Sequence, residues 1–231
     1  MRLEVPDSLQ RNHPCVAQRG YENTGQTLLE LIAHRTGFST LGDVDVLDVG
    51  CGVRFTQAIV NRGIPIKSYT GIEVSAPIVD FLTREVSAHD SRFRYVHWNV
   101  ANTMYNLEGE ALSEHAGLPV AERFDLIVLY SVFTHLSDQD ARALLTILRR
   151  HVRPAGKLFF SAFVDDGIDG FEDRDPAHPL LLAYFGRRYL RDLAEAAGWT
   201  VDAEYAWDPT AAVQHHFVCS PAAAPNALAP R

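Results

Sequence analysis

The chain has 231 residues, of which 47% are hydrophobic and 22% charged, a composition typical of one folded domain and not of a disordered segment. Its formal net charge is −8, from 21 basic and 29 acidic side chains, and the basic residues form no cluster. A protein that binds duplex nucleic acid or an anionic membrane is therefore not expected. Three cysteines are too few and too scattered for a disulfide framework or a zinc site, and they fit a reducing compartment.

The first residues lack the apolar core of a signal peptide, and no apolar run approaches the roughly 20 residues that a membrane span needs. We therefore expect a cytoplasmic protein that does not enter a membrane. The sequence does not indicate its oligomeric state.

The predicted elements, taken in chain order, alternate between short apolar runs and segments of helical period. The run at 44–49 is followed at once by glycines, which is typical of a buried strand that ends in a tight turn. Strands are predicted at 44–49, 68–74, 93–100, 124–130, 157–164, 199–207 and 213–220. Helices are predicted at 24–35, 55–62, 75–86, 137–152 and 186–197, and a turn at 154–156.

This alternation predicts a doubly wound α/β fold, in which helices cover both faces of one sheet in three α/β/α layers. The sheet is expected to have seven strands, mostly parallel, with an antiparallel last strand because only a short turn precedes it. Residues 1–43 are predicted to be a helical cap or lid, 44–220 the main domain, and 221–231 a flexible tail rich in Pro and Ala. A ligand is expected at the carboxyl ends of the strands, beside the first strand.

The turn after the first strand reads Asp48-Val49-Gly50-Cys51-Gly52, and its glycines would let the backbone approach a ligand closely. A dinucleotide fingerprint needs a third glycine at the position of Phe55, so a nicotinamide-dependent oxidoreductase is the weaker alternative.

Polar residues recur at a regular spacing after this turn. Glu73 ends the second strand 25 residues after Asp48, and Asn99 ends the third strand 26 residues later. A carboxylate at the end of the second strand can accept both hydroxyls of a ribose, which suits an adenosine-containing ligand. An amide at the end of the third strand can bond to the adenine amino group.

Four segments between about residues 40 and 165 resemble the motifs of class I S-adenosylmethionine-dependent methyltransferases. The Asp-x-Gly-x-Gly turn at 48–52 is similar to motif I, and 71–75 to motif II. Residues 124–136 resemble the segment around strand 4, and 148–158 the helix, turn and start of strand 5.

The resemblance implies S-adenosyl-L-methionine as the cofactor and a function as a methyltransferase. It implies that the glycine turn contacts the methionine end, that Glu73 binds the ribose, and that Asn99 frames the adenine. The cofactor-binding set implied in this way is Asp48, Gly50, Cys51, Gly52, Glu73, Val74, Asn99, Val100, Tyr130 and Ser131, of which the last two would line the sulfonium side.

One departure from the family lies in this turn. Arg54 stands where the family usually has a third glycine, or, equivalently, one residue is missing between Val53 and Arg54. The loop is then tighter or bulkier than usual. This leaves open an alternative, a catalytically impaired cofactor-binding or scaffold protein of the same fold.

Methyl transfer needs mainly in-line positioning of the acceptor, and an oxygen acceptor also gains from a general base. His135, just past the fourth strand, is the candidate base; the alternative is that it only caps or packs against the next helix. We therefore expect methylation of a small-molecule acceptor, with oxygen favoured as the acceptor atom.

Six acids and one Arg occupy residues 165–175. Their spacing does not match a calcium loop, so a solvated acidic loop is predicted and no metal site. Its place on the binding edge favours a neutral or cationic acceptor. His215 and His216 are adjacent in the last strand and so face opposite sides, which predicts one surface and one core histidine.

Overall fold

The computed structural model describes residues 2–10, 14–206 and 214–223. The strands are β1 (Asp45–Val49), β2 (Ser68–Glu73), β3 (Phe93–His97), β4 (Phe124–Leu129), β5 (Val152–Val164), β6 (Phe171–Asp173), β7 (Ala183–Phe185), β8 (Trp199–Tyr205) and β9 (His215–Pro221). The α-helices are α1 (Pro14–Arg19), α2 (Tyr21–Thr36), α3 (Arg54–Arg62), α4 (Ala76–Leu82), α5 (Asp138–Leu148) and α6 (Arg187–Ala196). A π-helical turn at Thr83–Ser87 continues α4, and 3-10 turns lie at Asp7–Leu9 and Phe133–His135.

The first five strands form a parallel array in the order β3-β2-β1-β4-β5. On the far side of β5, β9 runs antiparallel to it, and β8 runs antiparallel to β9. This order reverses direction between β1 and β4, so the carboxyl ends of these two strands flank the crevice in which doubly wound sheets bind ligands.

Two hydrophobic clusters cover the two faces of the sheet. Alternate residues of β1 separate between them, because successive side chains of a strand point to opposite faces: Val46 belongs to one cluster and Leu47 to the other. The cluster with Val46 includes α2, α3 and α4, and the cluster with Leu47 includes α5 and α6. The predicted doubly wound α/β fold is confirmed.

The expected strand count of seven is wrong, because residues 2–10, 14–206 and 214–223 already form nine. The two added strands, β6 and β7, pair with each other antiparallel, and β7 pairs with the end of β5 through Phe163 and Val164. The ring of Phe171 packs 5.3 Å from that of Phe185, which draws part of the predicted acidic loop into the sheet.

The turn predicted at 154–156 is also wrong. These residues lie within β5, where the pairing with β4 shifts its register between Phe124 and Leu126. The strand tolerates Pro154 and Gly156 because they lie at this irregularity. A Cβ at Gly156 would lie 2.9 Å from the carbonyl oxygen of Phe124, so the two backbones meet closely there.

The bounds of the other predicted helices and strands differ from the observed ones by a few residues. Residue 207 of the strand predicted at 199–207, residue 213 of the strand predicted at 213–220, and 224–231 of the predicted tail lie outside the described residues. Over the described ranges, none of the helices combines the length and the apolar character that crossing a membrane requires.

Candidate functional site

The glycine turn after β1 is folded back tightly against β2. The N–H groups of Gly50 and Cys51 both donate to the carbonyl oxygen of Ile72, at 2.8 and 3.1 Å. Gly50 and Gly52 have φ values of 72° and 49°, in the left-handed region that glycine adopts without strain. A Cβ at Gly50 would lie only 2.7 Å from Cγ2 of Val132, so the β4 loop closes over the turn.

Glu73, at the end of β2, is brought to this turn as the spacing predicted. Its Oε2 accepts a hydrogen bond from the N–H of Gly52 at 3.0 Å. Its Oε1 accepts from the N–H groups of Val74 and Ser75, at 2.9 and 3.1 Å. The carboxylate is thus a fixed part of the turn, held by three backbone donors.

Asp48 lies beneath the turn and is 2% exposed. The hydroxyl of Tyr69 donates to its Oδ2. Burial raises the pKa of Asp48 to about 7, against the opposing effect of the Tyr69 hydrogen bond. Asp48 therefore supports the turn from below and is largely protonated on the acid side of neutrality.

Cys51 points inward as well. Burial, followed by the charges of Glu73 and Asp48, raises the pKa of its thiol well above the ordinary value. Its Sγ lies 2.7 Å from the position that a Cβ of Gly71 would take, so β2 needs glycine there. The side chain is buried within the turn, so only backbone atoms of Cys51 could contact a ligand.

Asn99 and Val100 were predicted at the end of the third strand, but β3 ends at His97 and both residues lie in the loop that follows it. The N–H of Trp98 donates to the carbonyl oxygen of Glu73 at 3.0 Å, which fixes the start of this loop beside β2. The exposed Asn99 accepts from Nδ2 of Asn106 at 3.1 Å, and Val100 is buried.

Tyr130 and Ser131 leave β4 at the same edge. Ser131 has a φ of 61°, unusual for a residue with a Cβ. Three hydrogen bonds form a closed ring that holds it: its N–H donates to Oγ of Ser161 at 2.7 Å, the Ser161 hydroxyl donates to Oε1 of Gln214 at 2.6 Å, and Nε2 of Gln214 donates to Oγ of Ser131 at 2.9 Å. A strained conformation that is this firmly held is typical of functional sites.

Sequence reasoning missed Ser161 and Gln214. In the sequence, Ser161 stands out only as a polar residue within the apolar strand β5, and Gln214 as a polar residue directly before β9. The pairing of Ser161 with His216 across β5 and β9 brings them to Ser131, and nothing local in the sequence reports that register.

His135 ends the 3-10 turn after β4 and faces the segment that precedes β7. Its Nδ1 lies 3.1 Å from the carbonyl oxygen of Leu180. Because a carbonyl oxygen can only accept, Nδ1 carries the proton and Nε2 of the neutral ring has a free lone pair. Burial lowers the pKa of His135, which keeps the ring neutral.

Leu180 is itself held in place, with a φ of 61°. Its N–H donates to Oδ2 of Asp173 at 2.8 Å, while its carbonyl accepts from His135. The ring of Tyr105 meets that of His135 edge to face at 6.2 Å. The ring orientation of His135 is therefore fixed from two sides.

Arg54, the departure in the glycine turn, is the first residue of α3. Its guanidinium lies over the ring of Tyr130, 4.9 Å from the centroid. The side chain therefore lies at the predicted sulfonium side of the site.

The acids of 165–175 are largely paired. Asp165 and Glu172 both accept from Arg174, and Asp166 accepts from Arg187 at 2.7 Å. Over the described ranges, no group of three or more His, Cys, Asp or Glu side chains could hold a metal ion. The pairing leaves less negative charge to attract a cation than the sequence suggested.

Two cavities of about 290 Å³ each lie elsewhere, among residues at the amino ends of the strands. One lies beside Gly63 and Arg92, and the other beside Pro154 and Pro221. The converging polar groups and the strained Ser131 are at the carboxyl edge, so we place the candidate site there.

Residues 15–204 match a family model described as a methyltransferase domain. A mitochondrial ubiquinone biosynthesis O-methyltransferase of Candida albicans is 28% identical over 126 residues, which are 54% of this chain and 34% of that protein. This chain thus spans about a third of the length of that relative.

Among solved structures, the glycopeptide N-methyltransferase MtfA complexed with sinefungin has a TM-score of 0.59 at 15% identity, over 86% of this chain and 94% of that one. The CcbJ methyltransferase from Streptomyces caelestis has a TM-score of 0.58 at 16% identity, over 88% and 91% of the two chains. At these identities the likeness is one of fold.

Proposed function

The chain belongs to the methyltransferase-domain family, in the class I S-adenosylmethionine-dependent group that its motifs indicated, and we propose that it transfers a methyl group to an oxygen of a small acceptor. The observation that carries the proposal is the tautomer of His135, at the end of the 3-10 turn that follows β4. Its Nδ1 is bonded to the Leu180 carbonyl, so its Nε2 can take a proton.

The residues of the glycine turn fit S-adenosyl-L-methionine, which supplies an activated sulfonium methyl group. No heavy atom lies within 4 Å of the place where a Cβ of Gly52 would be, so a ligand can approach the backbone there. The Glu73 carboxylate lies beside that backbone and would hold the ribose hydroxyls, while Tyr130 would line the side toward the acceptor.

His135 would act as the general base. As the acceptor hydroxyl attacks the methyl carbon, Nε2 would take its proton, and the resulting positive charge would be shared with the Leu180 carbonyl through Nδ1–H. The ring bonded around Ser131 would keep the end of β4 rigid, so that this geometry is preformed.

Two observations favour oxygen and a small acceptor. The curated relative is named an O-methyltransferase. Arg174 and Arg187 at the binding edge are paired with acids and form no basic face for a nucleic acid. We propose a free small molecule in the cytoplasm as the acceptor.

The direct test incubates the protein with S-adenosylmethionine and a panel of phenols and amines, and measures S-adenosylhomocysteine by mass spectrometry. We expect turnover with phenols. His135→Ala should lower kcat by about 10²–10⁴-fold, the usual contribution of a general base, without weakening S-adenosylhomocysteine binding measured by calorimetry.

His151→Ala is the matched control. His151 also bonds through Nδ1 to a backbone carbonyl, that of Glu122 at 3.1 Å, but it precedes β5 at the opposite edge of the sheet. Its loss should leave kcat unchanged. Turnover with amines alone, or equal kcat in His135→Ala and the wild type, would contradict the O-methylation mechanism.

A second candidate, a cofactor-binding or scaffold protein without catalysis, is favoured by one observation. The Glu73 carboxylate accepts the hydrogen bonds described above from the backbone N–H groups of Gly52, Val74 and Ser75, as a carboxylate that only stabilises the turn would. Calorimetry and the turnover assay together separate the two functions: S-adenosylhomocysteine binding without turnover would indicate a cofactor-binding protein, and no binding at all would indicate a scaffold.

A further inference from the structure

Asp173, the last residue of β6, differs from its neighbour Glu172 in what it binds. The Glu172 carboxylate accepts from the side chain of Arg174, at 2.9 Å. The Asp173 carboxylate accepts from the backbone: its Oδ1 from the N–H of Asp175 at 3.2 Å, and its Oδ2 from the N–H of Leu180 at 2.8 Å. One carboxylate therefore joins the two halves of the loop between β6 and β7.

We call this loop, residues 174–182, the strap. Two consecutive carbonyl oxygens of the strap accept hydrogen bonds from side chains outside it. The carbonyl of Pro179 accepts from the hydroxyl of Thr103 at 3.0 Å, and the carbonyl of Leu180 accepts from Nδ1 of His135 at 3.1 Å. The strap therefore contacts both the loop after β3 and the candidate base.

Leu180 has a φ of 61°, in the left-handed region that a residue with a Cβ enters only at a cost. Of the residues that the structure describes, Ser131 is the other non-glycine residue with a positive φ, and such strain concentrates at functional sites. The N–H and the carbonyl of Leu180 belong to different peptide planes, so its torsion angles set their relative orientation. In this conformation the N–H meets Asp173 while the carbonyl meets His135.

We propose that Asp173 is a positioning residue for methyl transfer: by holding the N–H of Leu180, it keeps the Leu180 carbonyl directed at Nδ1 of His135. This bond fixes the tautomer in which Nε2 is free to take a proton. Without Asp173 the strain in Leu180 is no longer offset, the carbonyl turns away, and the ring can carry its proton on either nitrogen. The part of the tautomer in turnover rests on the proposed function, whereas the control of the tautomer does not.

The arrangement differs from a carboxylate bonded directly to the histidine ring. A carboxylate at Nδ1 would stabilise the protonated ring and raise its pKa. A backbone carbonyl fixes the same tautomer with a smaller effect: burial lowers the pKa of His135, and the bond to Leu180 only partly opposes this. Placing one residue between Asp173 and His135 therefore gives the orientation of a carboxylate–histidine pair while the ring stays neutral.

The first test is NMR of the wild type without cofactor or acceptor. Long-range ¹H–¹⁵N correlation should place the proton of the His135 ring on Nδ1, with the resonances assigned by their loss in His135→Ala. The Leu180 amide should exchange with solvent more slowly than in an unstructured peptide, by about tenfold or more, because Asp173 accepts from it. An Nε2–H ring or an unprotected Leu180 amide would overturn the proposal, whatever the variants show.

Asp173→Ala removes the acceptor of the Leu180 N–H. The backbone chemical shifts of Leu180 should then leave the left-handed range, and His135 should show both tautomers. With an acceptor found in the turnover panel, kcat should fall about 10–100-fold, as expected for a misplaced base, while S-adenosylhomocysteine binding stays unchanged. Asp173→Asn keeps one oxygen that can accept from the Leu180 N–H, so it should recover most of the Nδ1–H signal and of kcat.

A second substitution tests the role of strain. Glycine adopts a positive φ without strain, so adding Leu180→Gly to Asp173→Ala should restore part of the Nδ1–H signal. Glu172→Ala is the matched control, because it removes a carboxylate from the same strand that binds the Arg174 side chain. It should leave both the tautomer and kcat unchanged.

An unchanged tautomer in Asp173→Ala would overturn the proposal, and so would an Asp173→Asn variant that behaves like Asp173→Ala. Equal losses in Asp173→Ala and Glu172→Ala would show a general weakening of this edge of the sheet instead. The NMR measurements need no turnover. A protein that methylates nothing, but whose His135 tautomer depends on Asp173, would contradict the proposed function and leave the control of the tautomer standing.

Discussion

Two aspartates of the same short strand show how strongly the surroundings of a residue decide its chemistry. Asp45, at the start of β1, is near Lys67, Ser68 and Arg153. Partial burial raises its pKa, but hydrogen bonds from these three residues outweigh that effect and lower it to about 2. Asp48, three residues on, is buried beneath the glycine turn, and its pKa is raised to about 7.

The stability of the protein should therefore fall between pH 4 and 7 on account of Asp48. Its carboxyl is protonated in both states below about pH 4; as the pH rises, the unfolded chain releases the proton first and gains stability relative to the folded chain. Asp48→Asn removes this effect. Its free energy of unfolding, relative to wild type, should improve by about 3 kcal/mol between pH 5 and pH 8, measured by urea denaturation.

Asp45→Asn provides the comparison. Its low folded pKa means that the charge is present in the native state throughout that range, so its cost should be nearly the same at pH 5 and pH 8. An Asp48→Asn variant whose relative stability did not change with pH would show that Asp48 is ionised in the folded protein.

At the scale of elements, the crossing of α2 and α3 sets the position of Arg54. Gly25, on α2, is the point of closest approach: a Cβ there would lie 2.8 Å from Cβ of Ala58 and 2.9 Å from the carbonyl oxygen of Arg54. The backbone oxygen cannot move without shifting the start of α3. Because residue 25 has no side chain, α2 can pack against the start of α3, which directly follows the glycine turn.

Gly25→Ala should destabilise the protein by about 1–3 kcal/mol, the usual cost of overpacking, despite the better helix propensity of alanine. Thermal unfolding followed by circular dichroism measures it. Gly117→Ala is the control, since no heavy atom lies within 4 Å of a Cβ there. A higher melting temperature for Gly25→Ala would mean that the two helices separate at no cost.

Elements whose partners are near in sequence were predicted well, and elements that depend on distant partners were not. Periodicity located α3 and its end at Gly63, whose φ of 62° matches a helix C-terminus. The short strands β6 and β7 escaped prediction because Phe171 is apolar among acids and becomes a strand residue only by packing on Phe185. Pro154 and Gly156 predicted a turn because a register shift between distant strands cannot be read locally.

At the scale of the whole molecule, the N-terminal segment is packed as part of the domain. The N–H of Leu3 donates to Oδ1 of Asn61 at 2.6 Å, and Nδ2 of Asn61 donates to the Leu3 carbonyl at 3.0 Å. Ile32 of α2 is fully buried in the same cluster as α3. The boundary predicted at residue 43 therefore lies within a continuous core.

We expect one cooperative unfolding transition, because detachment of the N-terminal segment and α2 would expose the buried Leu3 and Ile32. Differential scanning calorimetry should give a single peak whose calorimetric and van't Hoff enthalpies agree. Two resolved transitions, the first accompanied by proteolytic release of the N-terminal segment, would instead support a separable cap.

As with the fold, one part of the site could be predicted from the sequence and another part, which depends on the pairing of distant strands, could not. The sequence spacing predicted that Glu73 and the glycine turn would meet, because parallel strands place their carboxyl ends together. The ring of hydrogen bonds at Ser131 depends on the antiparallel register of β9 against β5. That register joins residues more than 50 positions apart, so side-chain pairing there could not be deduced from pattern alone.

The hydrogen bond between Gly52 and Glu73 has a thermodynamic consequence for the first ligand to arrive. Each carboxylate oxygen has two lone pairs, so Oε2 can accept from the Gly52 N–H and from a ribose hydroxyl of the proposed cofactor at the same time. The bond then orients the carboxylate before the ligand arrives, so less conformational entropy is lost on binding. A substitution that loosens the turn should therefore lower cofactor affinity even if it removes no contact with the ligand.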